Sequence, residues 1–265
     1  MKKLALVLIC TIFLFGCSIN NSKNKKDSNP AILVNVPSKV EGVKESVLPQ
    51  EEPKEEPAPK SIPESIDLEA PFVSQAPLGN WDNLHNEACE EASVLSVVLY
   101  LENQNMSREE IDIKLIEMVQ WQEDNFGGHY DLPTAKVKEF VEKYYDGKYK
   151  VKIVYDPSQD DIKQAIASKN PVIIPASGRT LANPHYKSPG PVYHMIVLRG
   201  YDNKKKEFIT NDVGTHHTGD GYRFNMDKVY KAIHDMPQWQ QNKELLDADP
   251  DMIFNGRKAM IIINK

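Results

Sequence analysis

The chain has 265 residues, with 32 Lys and Arg against 38 Asp and Glu, which gives a formal net charge of −6 at pH 7. It has no basic stripe interleaved with aromatic residues, so we expect no nucleic acid among its partners. Its length fits one globular domain with additional terminal segments.

The N-terminus has the composition of an export signal. Two lysines precede an apolar run of twelve residues, Leu4 to Phe15, which is shorter than the roughly 20 residues that span a bilayer as a helix. The run ends in Gly16-Cys17, which resembles the cleavage box of bacterial lipoproteins. We therefore predict a lipoprotein signal peptide at 1–16 and a lipidated Cys17, with an ordinary signal peptide as the alternative. Such a protein would be lipid-anchored in the cell membrane and would face the extracytoplasmic side.

Residues 17–66 have the composition of a linker. They are rich in Asn, Lys, Ser, Glu and Pro, and they include an acidic, proline-containing run at 50–57. Such a stretch buries too little apolar surface to offset the entropy lost on ordering its backbone. We predict a disordered tether here and one folded domain at 67–265.

The predicted domain carries helical and strand periodicities in chain order. Apolar spacing predicts helices at Ala88–Leu101, Ser107–Trp121, Leu132–Tyr145 and Asp160–Ala167, and strands at Lys150–Tyr155, Pro171–Pro175, Val192–Arg199, Glu207–Asp212, Gly221–Phe224 and Ala259–Asn264. Helices come first and mostly antiparallel strands follow, which predicts an α+β domain. The first of these helices is apolar over most of its surface, so we expect it to be buried.

Cysteine usage singles out one residue. Cys10 would leave with the signal peptide and Cys17 would carry lipid, so Cys89 is the one thiol expected in the exported domain. A free thiol outside the cytoplasm is open to oxidation, so Cys89 is either a small buried side chain or a reactive group. It falls in the first turn of the predicted helix, where free amides and the helix dipole stabilise a thiolate. Asn86 is the expected N-cap.

A thiolate nucleophile needs a base, and His194 is the best placed of the seven histidines. It begins the run 194–202, in which residues 195–198 are apolar, at the mouth of a predicted core strand. A hairpin follows, and its turn determines which residue faces the imidazole. A turn centred on Asn203 pairs His194 with Asp212, and a two-residue turn pairs it with Asn211. The residues by themselves leave both pairings open.

These residues belong to a longer motif. Pro-Phe-Val-Ser-Gln at 71–75, Cys89 at a helix start, Tyr-His-Met-Ile-Val-Leu-Arg-Gly-Tyr-Asp at 193–202 and Thr-Asn-Asp at 210–212 occur in that order. Together they resemble the bacteriocin-processing (double-glycine) peptidase family, and in particular its stand-alone bacterial relatives among the papain-like cysteine peptidases. The resemblance covers about residues 70–215.

The resemblance implies a papain-like fold, in which a central helix that starts at the cysteine packs on the sheet. It implies that Cys89 is the nucleophile, His194 the general base, Asp212 the orienting acid and Gln75 the side chain of the oxyanion hole. It also implies hydrolysis of a peptide or protein substrate without a cofactor. We predict no metal site.

The chain departs from the family pattern beside the cysteine. Glu90-Glu91 follows it where Gly-Pro is common, and two carboxylates oppose thiolate formation unless they point away or are paired. The spacing from Gln75 to the cysteine is longer than is typical, so we expect an inserted loop at 77–87 that shapes a substrate cleft. The aperiodic segment 177–191 is a candidate substrate-binding lid.

Three functions fit these residues. The first is peptide-bond hydrolysis, and the second is acyl transfer on cell-wall material by an amidase or a transpeptidase with the same Cys-His pair. The third is a surface binding module that keeps the cleft without turnover. A thiol-reactive probe separates the third function from the first two, because an inactive module should label slowly.

Overall fold

The computed structural model of the protein describes residues 62–237 and 243–265. The predicted signal peptide, Cys17 and most of the predicted tether lie outside the described residues. Ser65 and Ile66, at the end of the predicted tether, form a strand with Asp67, so ordered structure begins before residue 67. Among the described helices, none combines the length and apolar character needed to cross a bilayer.

The described residues form helices packed on a sheet. The helices are α1 (Asn83–Asn86), α2 (Cys89–Glu102), α3 (Arg108–Phe126), α4 (Thr134–Tyr144), α5 (Gln159–Ala167), α6 (Gly178–Leu181), α7 (Met226–Ala232), α8 (Lys243–Ala248) and the 3-10 helix Pro250–Asn255. The strands are β1 (Ser65–Asp67), β2 (Lys150–Tyr155), β3 (Val172–Ala176), β4 (His194–Asp202), β5 (Glu207–Asn211), β6 (Asp220–Asn225) and β7 (Ala259–Asn264).

The predicted helices and strands correspond to α2–α5 and β2–β7, with ends that differ by a few residues. The largest difference is in α3, which continues to Phe126. It begins at a capping box between Ser107 and Glu110 and ends at Gly127, whose φ of 77° suits a glycine C-cap. The elements that were not predicted, such as β1, α1 and α6, are too short to show a period.

The strands form one sheet in the order β2-β7-β3-β4-β5-β6, with β1 beside β4. Each pairing between described strands is antiparallel. The predicted α+β class, with a helix that starts at the cysteine packed on a mostly antiparallel sheet, is therefore confirmed.

Apolar clusters cover both faces of the central strand β4. Met195 and Val197 join the cluster that contains α2, whereas Ile196 and Leu198 join the cluster that contains α5 and α7. Because both faces are covered, every position from 194 to 198 is buried and the strand shows no polar alternation. This packing places the N-terminal end of α2 against the start of β4.

Candidate active site

Cys89 is the first residue of α2 and lies at the helix end that meets the sheet. Its side chain is buried, and its Sγ accepts a hydrogen bond from the backbone N–H of Met195 at 3.3 Å. The N-cap is Ala88, which makes no side-chain capping bond, so the prediction of Asn86 was wrong. Asn86 instead ends α1 and donates to the carbonyl of Trp81 at 3.3 Å. The first amides of α2 are therefore not capped by a side chain, and they favour negative charge here.

His194 begins β4, directly before the residue that donates to the sulfur of Cys89. Its imidazole is buried, and Nε2 lies 3.0 Å from Oδ1 of Asp212. Because Nε2 faces the carboxylate, Nδ1 is the ring nitrogen left for proton exchange with a neighbour. The fold thus brings the start of α2, the start of β4 and the end of β5 to one place.

Asp212 is fully buried and follows the last residue of β5. Its Oδ1 faces His194 and the backbone N–H of Gly214 at 3.3 Å, and its Oδ2 accepts from Asn183 at 2.7 Å and from the Tyr186 hydroxyl at 2.6 Å. Burial alone would raise the pKa of this carboxyl. The hydrogen bond and charge of His194, together with the other donors, outweigh burial and hold the pKa below its ordinary value. Asp212 therefore stays ionised and can fix the imidazole with Nε2 protonated.

The sequence did not indicate Asn183 and Tyr186 as site residues. Both lie in the aperiodic segment 177–191, and the Tyr186 ring packs edge-on against His194 with centroids 5.5 Å apart. Burial raises the pKa of the Tyr186 hydroxyl, and the charge of Asp212 raises it further, so the hydroxyl remains a donor. The length of the segment was the available signal, because a polar side chain in a loop gives no sequence sign that it turns inward.

The β4–β5 hairpin has neither of the two registers considered from the sequence. Asp202 pairs with Glu207, which leaves four residues in the turn, and an irregularity between Leu198 and Gly200 in β4 then shifts the register once. The pairing ends with Asn211 opposite Val197. Asp212 therefore lies beyond the paired part of β5, and its carboxylate reaches the imidazole from there rather than across a strand pair.

Asn211 has different partners from its neighbour. Its Nδ2 donates to the carbonyls of Ala70 at 2.9 Å and Pro71 at 3.0 Å, and its Oδ1 accepts from Arg199 at 3.0 Å. The side chain is fully buried. These contacts attach the segment that precedes the site to the sheet, which is a structural function.

The site opens into a cavity of about 700 Å³. Its wall includes Cys89 and His194, the inserted loop through Trp81, and the segment 185–191. A Cβ on Gly214 would lie 2.8 Å from Cε1 and Nε2 of His194, closer than real Cβ contacts, so glycine leaves the space that the imidazole fills. Both segments expected to flank a cleft therefore border this cavity.

Gln75 is buried at the wall of the same cavity. Its Nε2 donates to the carbonyls of His85 at 2.8 Å and Asn86 at 3.2 Å, while its Oε1 is buried without a partner among the described residues. Its backbone N–H donates to the carbonyl of Val213 at 3.0 Å. The amide thus supports the segment that leads into α2, and both of its hydrogens are engaged in this arrangement.

Comparison with known proteins shows the family of the chain. The sequence profile of the Peptidase_C39 like family matches residues 67–245. The chain belongs to this family. Membership indicates a cysteine peptidase, which is a hydrolase. A crystal structure of a "putative C39-like peptidase" from Bacillus anthracis is similar to the chain, with a TM-score of 0.45 and 14% identity, and the match covers 76% of this chain and 98% of the other. No curated protein matches the chain.

In this member of the Peptidase_C39 like family, the two glutamates after the cysteine face different partners. Glu91 accepts a short hydrogen bond from Gln122, and Nε2 of His129 lies 3.5 Å from the same oxygen. Glu90 instead faces the thiol, with 3.2 Å between its Oε2 and Sγ of Cys89. Burial raises the pKa of the thiol, and a negative charge on the adjacent Glu90 would raise this pKa further. The condition that the carboxylates be paired or turned away is therefore met by Glu91 alone.

The thiol lies in a compact group of acidic side chains. Sγ of Cys89 and carboxylate oxygens of Glu90 and Asp131 lie within 4.8 Å of one another, as the ligands of a metal ion would. Both oxygens of Glu90 already have partners, since the N–H of Leu132 donates to Oε1 at 2.8 Å and the thiol faces Oε2. We interpret the group as a hydrogen-bonded network around the sulfur, and the expectation of no metal stays a prediction.

The pair of Glu91 and His129 predicts a pH-dependent stability. Burial alone would lower the pKa of His129, but its interaction with Glu91, together with the charges of Glu87 and Asp131, outweighs burial and holds the pKa above its ordinary value. The stabilisation is then complete below about pH 6.5 and is lost as the pH rises through the raised pKa. We expect His129→Gln to lower Tm more at about pH 5.5 than at about pH 9. Each kcal/mol of unfolding free energy that the substitution removes should lower Tm by about 2–4 °C. If scanning calorimetry shows the same difference in Tm between variant and native protein at both pH values, the charged pair is contradicted.

Proposed function

We propose that this chain is an extracytoplasmic cysteine peptidase that hydrolyses peptide bonds, with Cys89 as nucleophile, His194 as general base and Asp212 as the acid that orients the imidazole. The observation that carries the proposal is the 3.0 Å contact between His194 and Asp212 at a cavity wall that also holds the Cys89 thiol. A nucleophile, a base and an orienting acid in one cleft are sufficient for acyl transfer.

The chemistry follows from the two ring nitrogens of His194. The thiol proton passes to Nδ1, which leaves a thiolate at the N-terminal end of α2, while Nε2 keeps its proton and donates to Asp212. The thiolate attacks the carbonyl carbon of the peptide bond, and the imidazolium then protonates the leaving amine. Water, deprotonated by the same imidazole, hydrolyses the thioester and restores the thiol.

The oxyanion formed on attack needs donors that face the cleft. The backbone N–H of Cys89 lies in the uncapped first turn of α2, and the amide of Gln75 lies at the cavity wall. We assign both to the oxyanion hole. Because the amide donates to two carbonyls in the free protein, one of these hydrogen bonds must open when the oxyanion forms.

Gln75→Ala is expected to lower kcat by roughly 10²–10³ with little change in KM, as for the loss of one oxyanion donor. The substitution also removes the hydrogen bonds to the carbonyls of 85 and 86, so we expect a lower Tm as well. Steady-state kinetics per folded molecule separates the two effects. An unchanged kcat would transfer the oxyanion role to a donor in the loop 77–87.

Membrane attachment rests on Cys17, which ends the apolar run and precedes the predicted tether. Cys17→Ser is expected to move the protein from the membrane fraction to the soluble fraction, because the acceptor for lipid is lost. Cys10→Ser is the matched control, since it removes a thiol from the same signal peptide and should leave fractionation unchanged. Retention of Cys17→Ser in the membrane would contradict the anchor.

A second candidate function is a binding module without turnover, and the contact of Glu90 with the thiol favours it, because an ionised carboxylate there would keep the sulfur protonated. Labelling with iodoacetamide separates the candidates. Rapid labelling that is lost in both Cys89→Ala and His194→Ala supports a peptidase. Labelling that is slow and indifferent to His194→Ala supports the module.

A separate experiment tests whether the substrate is a peptide or cell-wall material. Incubation of the full chain with peptide libraries and with purified peptidoglycan distinguishes peptide-bond hydrolysis from amidase or transpeptidase action on cell-wall material. We expect cleavage of peptides, with Cys89→Ala as the blank. Release of products from peptidoglycan alone would assign the same Cys-His chemistry to the cell wall.

A further inference from the structure

The sulfur of Cys89 lies between two polar groups besides its catalytic partner. The backbone N–H of Met195 donates to Sγ at 3.3 Å, and Oε2 of Glu90 lies 3.2 Å from it. The other oxygen of Glu90, Oε1, accepts from the N–H of Leu132 at 2.8 Å. The Glu90 side chain is completely buried. The carboxyl is thus held at one oxygen by the backbone, and its second oxygen is directed at the nucleophile.

The surroundings of Glu90 disfavour a negative charge. Glu91 lies beside it on the same helix, Asp131 lies on the segment before α4, and the buried Tyr193 hydroxyl lies on the segment before β4. No ion pair joins Glu90 to a cation in the part of the chain that the structure describes. Burial first, and then the charges of Asp131 and Glu91, raise the pKa of Glu90 well above its ordinary value. A neutral carboxyl satisfies these surroundings.

The hydrogen bonds of Glu90 determine where its proton lies. Oε1 accepts from an N–H, so the proton of the neutral carboxyl is on Oε2. In the free protein Oε2 accepts from the Cys89 thiol, and its O–H can donate to the sulfur once the thiol proton has left. An O–H aimed at a thiolate stabilises it, whereas an ionised carboxylate in the same place would accept the thiol proton and keep the sulfur neutral. The two groups cannot both ionise at this separation without a large cost.

We propose that Glu90 is a further catalytic residue, whose neutral carboxyl donates a hydrogen bond from Oε2 to the Cys89 thiolate and stabilises the reactive form of the nucleophile. This inference rests on the proposed function of Cys89. The proton balance is simple: the thiol proton moves to Nδ1 of His194, and Glu90 keeps its own proton throughout. Met195 N–H and Glu90 O–H then form a pair of donors around the sulfur. Loss of the Glu90 proton turns the same contact into one that favours the thiol.

The test is the rate of alkylation of Cys89 by iodoacetamide in the full chain at about pH 7, with EDTA present to exclude metal ions and Cys89→Ala as the blank. Glu90→Gln keeps an acceptor for Leu132 and an N–H donor for the sulfur, so we expect a rate within about fivefold of the native protein. Glu90→Met fills similar space without a donor. It should slow alkylation by about 10–100-fold, because hydrogen bonds to charged groups contribute that much to thiolate formation.

Glu91→Gln is the matched control, because it removes the neighbouring carboxylate that faces Gln122 and not the thiol. Its alkylation rate should be close to that of the native protein. A more than fivefold change in Glu90→Gln, or an unchanged rate in folded Glu90→Met, would overturn the proposal. A higher alkylation rate in Glu90→Gln than in the native protein would mean that the native carboxyl is ionised and suppresses the thiolate. If Glu90→Met does not fold by circular dichroism, the Glu90→Gln rate decides.

The pH profile provides a second readout that a purely structural role would not move. We expect the alkylation rate of the native protein to reach a plateau near neutral pH, where the thiolate and the imidazolium form together, and to fall below that plateau as Glu90 ionises. Glu90→Gln should keep the plateau to higher pH. Identical profiles would overturn the proposal. Because alkylation needs no peptide substrate, this outcome is separable from the proposed function. A protein that labels as expected but cleaves no peptide would refute the peptidase and would leave only the hydrogen bond from Glu90 to the thiolate in place.

Discussion

Cys89→Ala is expected to abolish both thiol alkylation and peptide hydrolysis while the fold stays in place. In the proposed mechanism the sulfur attacks the carbonyl carbon, and the remaining site residues cannot form the thioester. Loss of one buried sulfur should cost about 1–2 kcal/mol through transfer and cavity terms. For a domain of this size that corresponds to a fall in Tm of about 2–4 °C per kcal/mol. Mass spectrometry after iodoacetamide treatment and calorimetry measure the two effects.

Ser93→Ala is a suitable control for that variant. Ser93 is buried one turn further along α2, and its hydroxyl has no hydrogen-bond partner among the described residues. Ser93→Ala should change neither the labelling of Cys89 nor the rate of peptide hydrolysis. A Cys89→Ala protein that unfolds, or that retains native hydrolysis per folded molecule, would instead show that the cysteine is a packing residue.

Asp212→Asn is expected to reduce kcat/KM by up to roughly 10⁴, by analogy with the loss of the orienting acid in Ser-His-Asp enzymes. Four donors converge on the carboxylate, from His194, Gly214, Asn183 and Tyr186. An amide offers a single acceptor oxygen and turns an N–H toward donors, so the imidazole loses its orientation and the stabilising charge. We also expect thiolate formation in a narrower pH range, measured by alkylation rates across pH.

Asn211→Ala is the matched comparison for that change, since the two residues are adjacent and both are fully buried. It removes the hydrogen bonds to the carbonyls of Ala70 and Pro71, so Tm should fall while activity per folded molecule changes little. The reverse pattern, with Asn211→Ala inactive and Asp212→Asn active, would assign the orienting role to Asn211.

Much of the fold was predictable because its elements have strong local periods. The helix that begins at Cys89 is apolar on nearly every side, and the run from His194 is apolar on both faces of its strand. Such patterns arise between residues a few positions apart, so they are visible in the sequence without knowledge of the tertiary structure. The short elements β1 and α6 were missed because three or four residues show no period, and β1 is held by its pairing with the distant strand β4.

The register of the β4–β5 hairpin could not be predicted from the sequence. Turn chemistry suggested two registers, and the protein adopts a third, with a four-residue turn and a shift within β4. An irregularity of this kind moves every later pair by one residue, so the pairs beyond it do not follow from the position of the turn. Asp212 contacts the imidazole, but not by the strand pairing that the sequence suggested.

The sequence by itself determined the α+β class, the order of the long elements, the position of Cys89 at a helix start and the order of the motifs that carry the family resemblance. The tertiary structure alone decided that Asp212 faces His194, that Asn183 and Tyr186 complete its hydrogen bonds, and that Glu90 turns to the sulfur while its neighbour turns away. Two adjacent glutamates are indistinguishable in the sequence, although successive residues on a helix point about 100° apart and so meet different neighbours. Which of them meets the thiol depends on groups, such as the N–H of Leu132, that lie 42 positions away in the chain and come close only when the domain packs.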